Sequence, residues 1–261
     1  MALGSLALLA IVGVSIGLCR QRSAVHSTQA AVTRDASGRT AAVPLAEARP
    51  DASGPASFVL SVPRADAPWK PTGEFNVGIW GKSPRTRTLL DDRGQGAVPV
   101  SDARFLWQGP NLYFFFYAGD LDLQCHAKRR DGPVWLDDSV AMTFISPDGV
   151  RRMIQISPAG VVADGQCPAD ASGLDDARCD LSWDSGVTFG VDSDGTFNRI
   201  GDFDEEWAVE AAVPFASIGI QNAGKGSVVR VYIRRCEIAH DGPRACGTWG
   251  DKRTGGELIL Q

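Results

Sequence analysis

The stretch Asp131-Gly-Pro-Val-Trp-Leu-Asp-Asp-Ser-Val-Ala-Met-Thr-Phe144 contains a turn sequence, an aromatic residue, two carboxylates and an alternating segment, in that order. Apolar and small residues alternate over Ser139–Ile145, which predicts a β-strand with one apolar face. Because neighbouring residues of a strand point to opposite faces, Asp137 and Asp138 are not expected to form a catalytic carboxylate pair. The stretch therefore indicates a recognition surface around Trp135 rather than a catalytic centre.

Short apolar segments recur through the rest of the chain, with turn residues between them. Leu112–Ala118 is apolar at every position, which predicts a central strand that is covered on both faces. No segment of ten or more residues has a helical period. The pattern predicts an all-β protein, an antiparallel β-sandwich of the immunoglobulin or jelly-roll type. The other predicted strands are Ala103–Trp107, Ser139–Ile145, Met153–Ser157, Gly160–Ala163, Gly186–Val191, Glu206–Val213, Val228–Ile238 and Glu257–Leu260, and a turn is predicted at Asp192–Gly195.

Length and charge limit the domain organisation and the partners. A chain of 261 residues is long enough for a domain with a large buried core. Its net charge of −5 argues against a nucleic-acid partner, because phosphate binding needs a positive field. Residues 20–57 are Ala, Ser, Arg, Asp and Pro without a period, which predicts a disordered tether. Residues 58–261 are predicted to form the β-sandwich.

The first residues of the chain predict export. Residues 2–18 are almost wholly apolar or small and are followed by Cys19, as in a signal segment. Residues 1–19 are therefore interpreted as a signal or lipoprotein segment. Lipid attachment at Cys19 and retention of the segment as a membrane anchor are both open. Arg20 and Arg22 would favour an anchor whose C-terminal side is cytoplasmic.

The other five cysteines support an oxidising compartment. Cys167 and Cys179 bracket a loop rich in Pro, Ala, Asp and Gly, and Cys236 and Cys246 flank a turn sequence. Neither spacing is that of a zinc site, so the two pairs predict disulfides, each of which would contribute about 3 kcal/mol. Disulfides persist in oxidising compartments, which agrees with export. Cys125 is left as a buried free thiol.

The alternation of the strands also predicts which polar side chains share an outer sheet face. If the strands are neighbours, this face carries amide, guanidinium and carboxylate groups beside an aromatic ring. Such groups can bind the hydroxyl groups and the apolar ring face of a sugar. An ordinary solvated sheet face is the alternative interpretation. The outward residues are Ala141, Gln155, Ser157, Glu210, Arg230, Tyr232 and Arg234.

The order of the strand motifs over about residues 65–261 resembles that of the family 9 carbohydrate-binding modules. The resemblance implies a β-sandwich that recognises sugars through stacked tryptophans, with bound calcium in some members. It also implies attachment to polysaccharide-degrading enzymes. The motifs that carry it are Ala103-Arg-Phe-Leu-Trp107, Asn111-Leu-Tyr-Phe-Phe-Phe-Tyr117, Val134-Trp-Leu-Asp-Asp-Ser-Val140, Ile154-Gln-Ile-Ser-Pro-Ala-Gly-Val161, Trp207-Ala-Val-Glu-Ala-Ala-Val-Pro-Phe-Ala-Ser217 and Thr248-Trp249 with Gly256-Glu-Leu-Ile-Leu260.

The resemblance implies roles for individual residues. Trp135 matches a tryptophan that stacks on sugar, although a packed aromatic at the rim of the sheet is the alternative. Gln155 and Ser157 fall where sugar-binding members place Arg and Asn, and Ala141 departs from a position that often holds a carboxylate. Trp249 is the nearest match to a second stacking tryptophan, or else to a structural one. The predicted carbohydrate site is therefore Trp135, Gln155, Ser157, Arg234 and Trp249, with Glu210 as a further hydrogen-bonding group.

The predicted function is non-catalytic carbohydrate binding by an exported protein of the cell envelope, in the service of carbohydrate catabolism. The partner would be a poly- or oligosaccharide, and the membrane would be met only through the N-terminal segment. Two alternatives are an envelope interaction or structural module that has lost sugar binding, and a haem-binding relative that uses Cys125 and His126.

No cofactor is expected, with calcium left open. Loop carboxylates suit a hard cation, but Asp-Gly turns explain the same residues. The oxygen donors in question are Asp120, Asp122, Asp148, Asp192 and Asp194. Four further tryptophans are predicted to fill the core, namely Trp80, Trp107, Trp183 and Trp207.

Overall fold

The computed structural model describes residues 58–97, 99–199, 201–238, 242 and 244–261 with their side chains, and the backbone of two short N-terminal strands. These strands, β1 (Val32–Arg34) and β2 (Thr40–Ala42), pair antiparallel and fall within the segment predicted as a tether. They belong to a unit of residues 1–53, and residues 54–261 form a second compact unit. The predicted signal segment with Cys19 and the rest of the predicted tether lie outside the described residues. Within the described ranges, no helix is long and apolar enough to cross a membrane.

The regular secondary structure of the second unit consists almost entirely of strands, which are joined by long turns and loops. Among its described residues there are one short α-helix, α1 (Val77–Trp80), and one turn of 3-10 helix at Val134–Leu136. The strands are β3 (Val59–Val62), β4 (Ser101–Gln108), β5 (Asn111–Gly119), β6 (Ser139–Ile145), β7 (Arg151–Ile156), β8 (Val162–Cys167), β9 (Thr188–Asp194), β10 (Glu206–Pro214), β11 (Val228–Glu237), β12 (Ala245–Trp249) and β13 (Gly256–Leu260).

The smaller sheet has four antiparallel strands in the order β4-β5-β10-β9. A two-residue connection joins β4 to β5, because Gln108 pairs with Asn111. Gly109 takes a φ of 55° there, a value that a tight hairpin turn requires and that glycine adopts without steric cost. The hairpin fixes the register of the most apolar strand of the chain against its neighbour.

The larger sheet has seven strands, in the order β3-β13-β11-β6-β7-β8 with β12 added beside β11. All of its pairs are antiparallel except that of β13 with β3. The inner faces of the two sheets pack together around one apolar core that includes Phe105, Phe114, Phe144, Val231 and Trp207. The predicted β-sandwich is therefore confirmed.

A second apolar layer covers the outer face of the four-stranded sheet. Tyr113 and Phe115 of β5 point into this layer, where Trp69 stacks on Tyr113 with ring centroids 4.0 Å apart. The prediction that β5 is buried on both faces is confirmed. Glu210 of β10 also points into this layer and is buried. It lies in the other sheet from Gln155 and Arg234, so its predicted place on a shared outer face is wrong.

Most of the predicted strands occur within a few residues of their predicted bounds. The strand predicted at Gly160–Ala163 begins only at Val162, because Gly160 belongs to the turn that precedes it. The turn predicted at Asp192–Gly195 is wrong for its first three residues. β9 continues to Asp194 because it pairs with β10 along its whole length. β3 and β12 were not predicted.

Candidate functional site on the outer face of the larger sheet

Trp135 lies in the turn of 3-10 helix that leads into β6. The two carboxylates after it hold this turn in place. Asp137 accepts hydrogen bonds from the backbone N–H groups of His126 and Ala127, at 2.9 and 2.8 Å. Asp138 accepts from the backbone N–H groups of Gln124 and Ile238, both at 2.6 Å. Both carboxylates are buried and are used by the backbone, whereas Trp135 is half-buried and Leu136 beside it is exposed.

Cross-strand pairing brings three of the predicted residues into one row. Arg234 of β11 lies opposite Ala141 of β6, and Ala141 lies opposite Gln155 of β7. The row is extended by Thr248 on one side and Ala163 on the other. Since residues in register point to the same face, the row lies on the outer face of the larger sheet.

A disulfide-closed loop covers much of this face. Cys167 and Cys179 are bonded, and the segment between them folds back over β7 and β8. Leu174 of the loop belongs to the same apolar cluster as Met153 on the sheet, and Trp135 packs against this cluster. The other cluster members are Ala127, Val134, Ala163, Cys167 and Ala171, with Val161, Cys179 and Leu181 beside them.

Polar contacts hold the loop and bring it to β11. The guanidinium of Arg151 donates hydrogen bonds to the carbonyl of Ala169 in the loop and, at 2.8 Å, to that of Lys252. At Gly173 an added Cβ would lie 3.3 Å from Nη2 of Arg234. The loop therefore extends from the edge of the sheet at β8 to the side chain of Arg234. The sequence offered one signal for this cover, the single large apolar residue Leu174 between the two cysteines.

Burial changes the role of two predicted sugar-binding residues. Gln155 is only 2% exposed, and its amide donates a 2.8 Å hydrogen bond to Oγ of Ser139. Ser157 is fully buried in the turn after β7, where its Oγ accepts from the backbone N–H of Val161 at 3.3 Å. Both side chains have partners within the chain itself.

Trp249 does not lie on the outer face. It is 4% exposed and sits in the core between the sheets, with its ring edge-on to Phe58 at a centroid distance of 5.7 Å. An added Cβ at Gly256 would lie 2.4 Å from its ring, so glycine is needed beneath it. Trp249 therefore offers no ring face to a ligand in this structure. Trp80, Trp107 and Trp207 are buried as predicted, whereas Trp183 is only half-buried and lies outside the core clusters.

Both predicted disulfides are confirmed. Cys236 and Cys246 face each other across β11 and β12, and their bond closes that hairpin. Cys125 is a buried free thiol, as predicted, and burial raises its pKa to about 12. His126 beside it is exposed at the surface, and its Nδ1 lies 3.7 Å from Oδ1 of Asp137.

Two of the loop carboxylates named as oxygen donors for calcium have arginine partners in the structure. Asp120 accepts a 2.9 Å hydrogen bond from the buried guanidinium of Arg235, which supplies the positive charge at that position. Asp148 is paired with Arg152 on a different turn. In the part of the chain that the structure describes, no three His, Cys, Asp or Glu side chains form a group that could hold a metal ion.

Removal of the Cys167–Cys179 bond should loosen the cover over Trp135. We expect Cys167→Ala/Cys179→Ala to lower the free energy of unfolding by about 3 kcal/mol, because the open chain gains conformational entropy. Quenching of tryptophan fluorescence by acrylamide should also increase. Cys236→Ala/Cys246→Ala is the matched control, since it opens a loop of similar length elsewhere and should lower stability without this gain in quenching. Equal quenching in the two variants would contradict the covering role of the loop.

No protein-family model matches the chain, and no curated protein shows significant similarity to it. Several solved structures do resemble the chain in fold. A presumed carbohydrate-binding protein of Bacteroides uniformis superposes with a TM-score of 0.58 at 14% identity, over 78% of this chain and 99% of that chain. A family 9 carbohydrate-binding module of Caldicellulosiruptor kristjanssonii gives a TM-score of 0.53 both in complex with cellotriose (13% identity, 78% and 93% coverage) and in complex with glucose (14% identity, 78% and 95% coverage). The fold is therefore that of the family 9 carbohydrate-binding modules, and the resemblance seen in the sequence is confirmed at the level of fold.

Proposed function

We propose that this chain is a non-catalytic saccharide-binding protein that is exported and remains at the cell envelope, where it serves polysaccharide degradation. The observation that carries the proposal is the placement of Trp135. This half-exposed ring lies at the rim of the outer sheet face, in a fold shared with modules solved with cellotriose and glucose. Its flat apolar face would stack on a sugar ring, and Arg234 on the same sheet face would bind polar groups. The two disulfides agree with an extracellular location.

A second candidate is an envelope interaction module without sugar binding. The disulfide-closed loop favours it, because the loop covers Gln155 and Ala141 on the face where the resemblance implies sugar contacts. Under this proposal Trp135 packs against the disulfide-closed loop and does not contact a ligand. The two candidates differ in one measurement, which is the binding of soluble saccharides.

Calorimetric titration with soluble oligosaccharides, cellotriose among them, tests the proposal. Trp135→Leu keeps an apolar side chain against the cluster but removes the stacking ring, and we expect affinity to fall roughly 30-fold, the effect of losing an aromatic anchor worth about 2 kcal/mol. Phe75→Leu is the matched control, because Phe75 is a partly exposed ring on the opposite side of the sandwich. Urea unfolding would show that both variants fold. Unchanged affinity in Trp135→Leu would exclude this site, and absence of binding to every saccharide would favour the second candidate.

A further inference from the structure

β9 is the last strand of the smaller sheet and pairs with β10 on one of its two sides. In the described part of the chain, no segment forms backbone hydrogen bonds with the other side. Chain segments do close other sheet edges. The N–H of Thr86 donates to the carbonyl of Ala103 on β4 at 2.8 Å. Gln166 of β8 exchanges two hydrogen bonds with Asp180, and Leu90 exchanges two with β12. The free edge of β9 can therefore pair with a further strand.

A cleft of about 480 Å³ opens beside this edge, between β9 and the turn at residues 158–160. Phe189 and Val191 point from β9 toward the core between the sheets but are only half-buried. Val209, which lies opposite Val191 on β10, is fully buried. Phe197 also lines the cleft and is 42% exposed. The cleft therefore has room for apolar side chains of an added strand, which would complete the cover of this part of the core.

The opposite face of β9 is acidic. Asp192 and Asp194 alternate with the core-facing residues and are both exposed. Among the described residues, neither carboxylate forms an ion pair. Arg199 in the loop that follows is already 4.0 Å from Asp202. Because opposite charges on neighbouring strands stabilise a sheet, a strand added here should carry Lys or Arg on this face.

The same carboxylates argue against a second copy of the chain as the added strand. Two β9 strands paired antiparallel would place Asp192 and Asp194 of both copies on one face of the joined sheet. Like charges in neighbouring strands are destabilising, and charged edge strands are one way in which proteins avoid pairing with themselves. The charge of this edge is complementary to a different, basic polypeptide.

We propose that β9 is a docking site for an extended segment of a partner polypeptide, in which apolar residues alternate with Lys or Arg. The apolar side chains would fill the cleft, and the cations would lie beside Asp192 and Asp194. Such alternation is what a strand with one face toward the core requires. Backbone hydrogen bonds to the edge would supply affinity, and the cleft and the carboxylates would supply specificity. This surface is independent of the saccharide binding proposed above.

The test is a calorimetric titration of the full chain with an octapeptide of alternating lysine and valine. We expect it to bind at least about tenfold more tightly than an octapeptide of alternating glutamate and valine, because of the charge of the edge. The lysine peptide with every backbone nitrogen methylated keeps the charges but cannot donate to β9, and it should also bind about tenfold or more weakly. Hydrogen exchange of the β9 amides should slow only with the unmethylated lysine peptide.

The variant Asp192→Lys/Asp194→Lys should reverse the preference between the lysine and glutamate peptides. Asp66→Lys/Asp92→Lys is the matched control, because it changes the net charge equally at exposed positions of other segments and should keep the preference for lysine. Equal binding of the methylated peptide, reversal in the control variant, or no binding of the lysine peptide would overturn the proposal. Slower exchange in β9 at high protein concentration without peptide would assign the edge to a second copy and overturn it as well.

Discussion

Glu210→Ala is expected to lower the free energy of unfolding by about 4 kcal/mol, since several buried donors would lose their acceptor at about 1–3 kcal/mol each. One carboxylate oxygen accepts hydrogen bonds from the indole N–H groups of Trp69 and Trp80, at 2.7 and 2.8 Å. The other accepts from the backbone N–H of Thr72 at 2.7 Å. This single buried carboxylate therefore fixes the segment that covers the outer face of the smaller sheet.

Urea unfolding would measure this loss, and two further variants would define its cause. Glu210→Gln has nearly the same shape but replaces one oxygen by an N–H donor that faces other donors, so we expect an intermediate loss of about 2 kcal/mol. Glu257→Gln is the control, because its surface ion pair with Arg230 should be worth less than about 1 kcal/mol. A loss in Glu210→Ala no larger than that of the control would show that the segment is held by packing alone.

The fold was largely predictable because apolar and polar residues alternate along most of the strands, and a β-sandwich buries the apolar face of each of them. β6 was predicted with its observed bounds, since Val140, Met142 and Phe144 recur on one face and small residues on the other. β3 and β12 carry weaker signals. β3 has four residues and pairs parallel with β13 at the edge, and β12 contains only one large apolar residue, Trp249. Their pairing depends on strands distant in sequence, which a local pattern does not reveal.

The site was predictable only as far as the alternation of side chains along a strand determines which face of the sheet each residue occupies. The register of β6, β7 and β11 placed Ala141, Gln155 and Arg234 together, as the alternation indicated. Alternation does not reveal whether another segment covers an outward residue, and for this reason Glu210 and Gln155 were both expected at the surface. In each case a distant segment provides the cover, a tryptophan-containing segment for Glu210 and the disulfide-closed loop for Gln155. Trp249 was misplaced for a related reason, because its identification rested on position in a motif and not on the face of its strand.

The second large effect is a loss of stability as the pH rises. Burial and the nearby charge of Asp120 raise the pKa of Asp138 to about 8, well above the 3.8 of an unperturbed carboxyl group. Burial likewise raises the pKa of Asp120 and of Glu237, while Arg235 opposes the shift in both. These groups lie at one end of the sandwich, where Arg235 is the buried cation that contacts both Asp120 and Glu237. The folded protein therefore holds a proton there that the unfolded chain releases.

The direction of the pH dependence follows from that proton. Below pH 4 Asp138 is protonated in both states, so its contribution to stability is fully present. Between about pH 4 and pH 8 only the folded state keeps the proton, and stability falls by about 1.4 kcal/mol for each pH unit, or at most about 4 kcal/mol from pH 5 to pH 8. Above the folded pKa the loss levels off. The urea midpoint should accordingly be higher at pH 5 than at pH 8.

Asp138→Asn isolates the contribution of this carboxyl group. Its amide would face two backbone N–H donors and lower stability at every pH, but the decline from pH 5 to pH 8 should become much shallower because the titrating group is gone. Asp148→Asn is the matched control. Hydrogen bonds from Arg152 lower the pKa of Asp148, so this group changes the stability only at pH values below about 4. In Asp148→Asn the decline in stability from pH 5 to pH 8 should therefore be the same as in the unmodified chain. The same slope in Asp138→Asn as in the unmodified chain would mean that Asp138 is already ionised in the folded protein, with its two backbone N–H donors and Arg235 outweighing burial and the charge of Asp120.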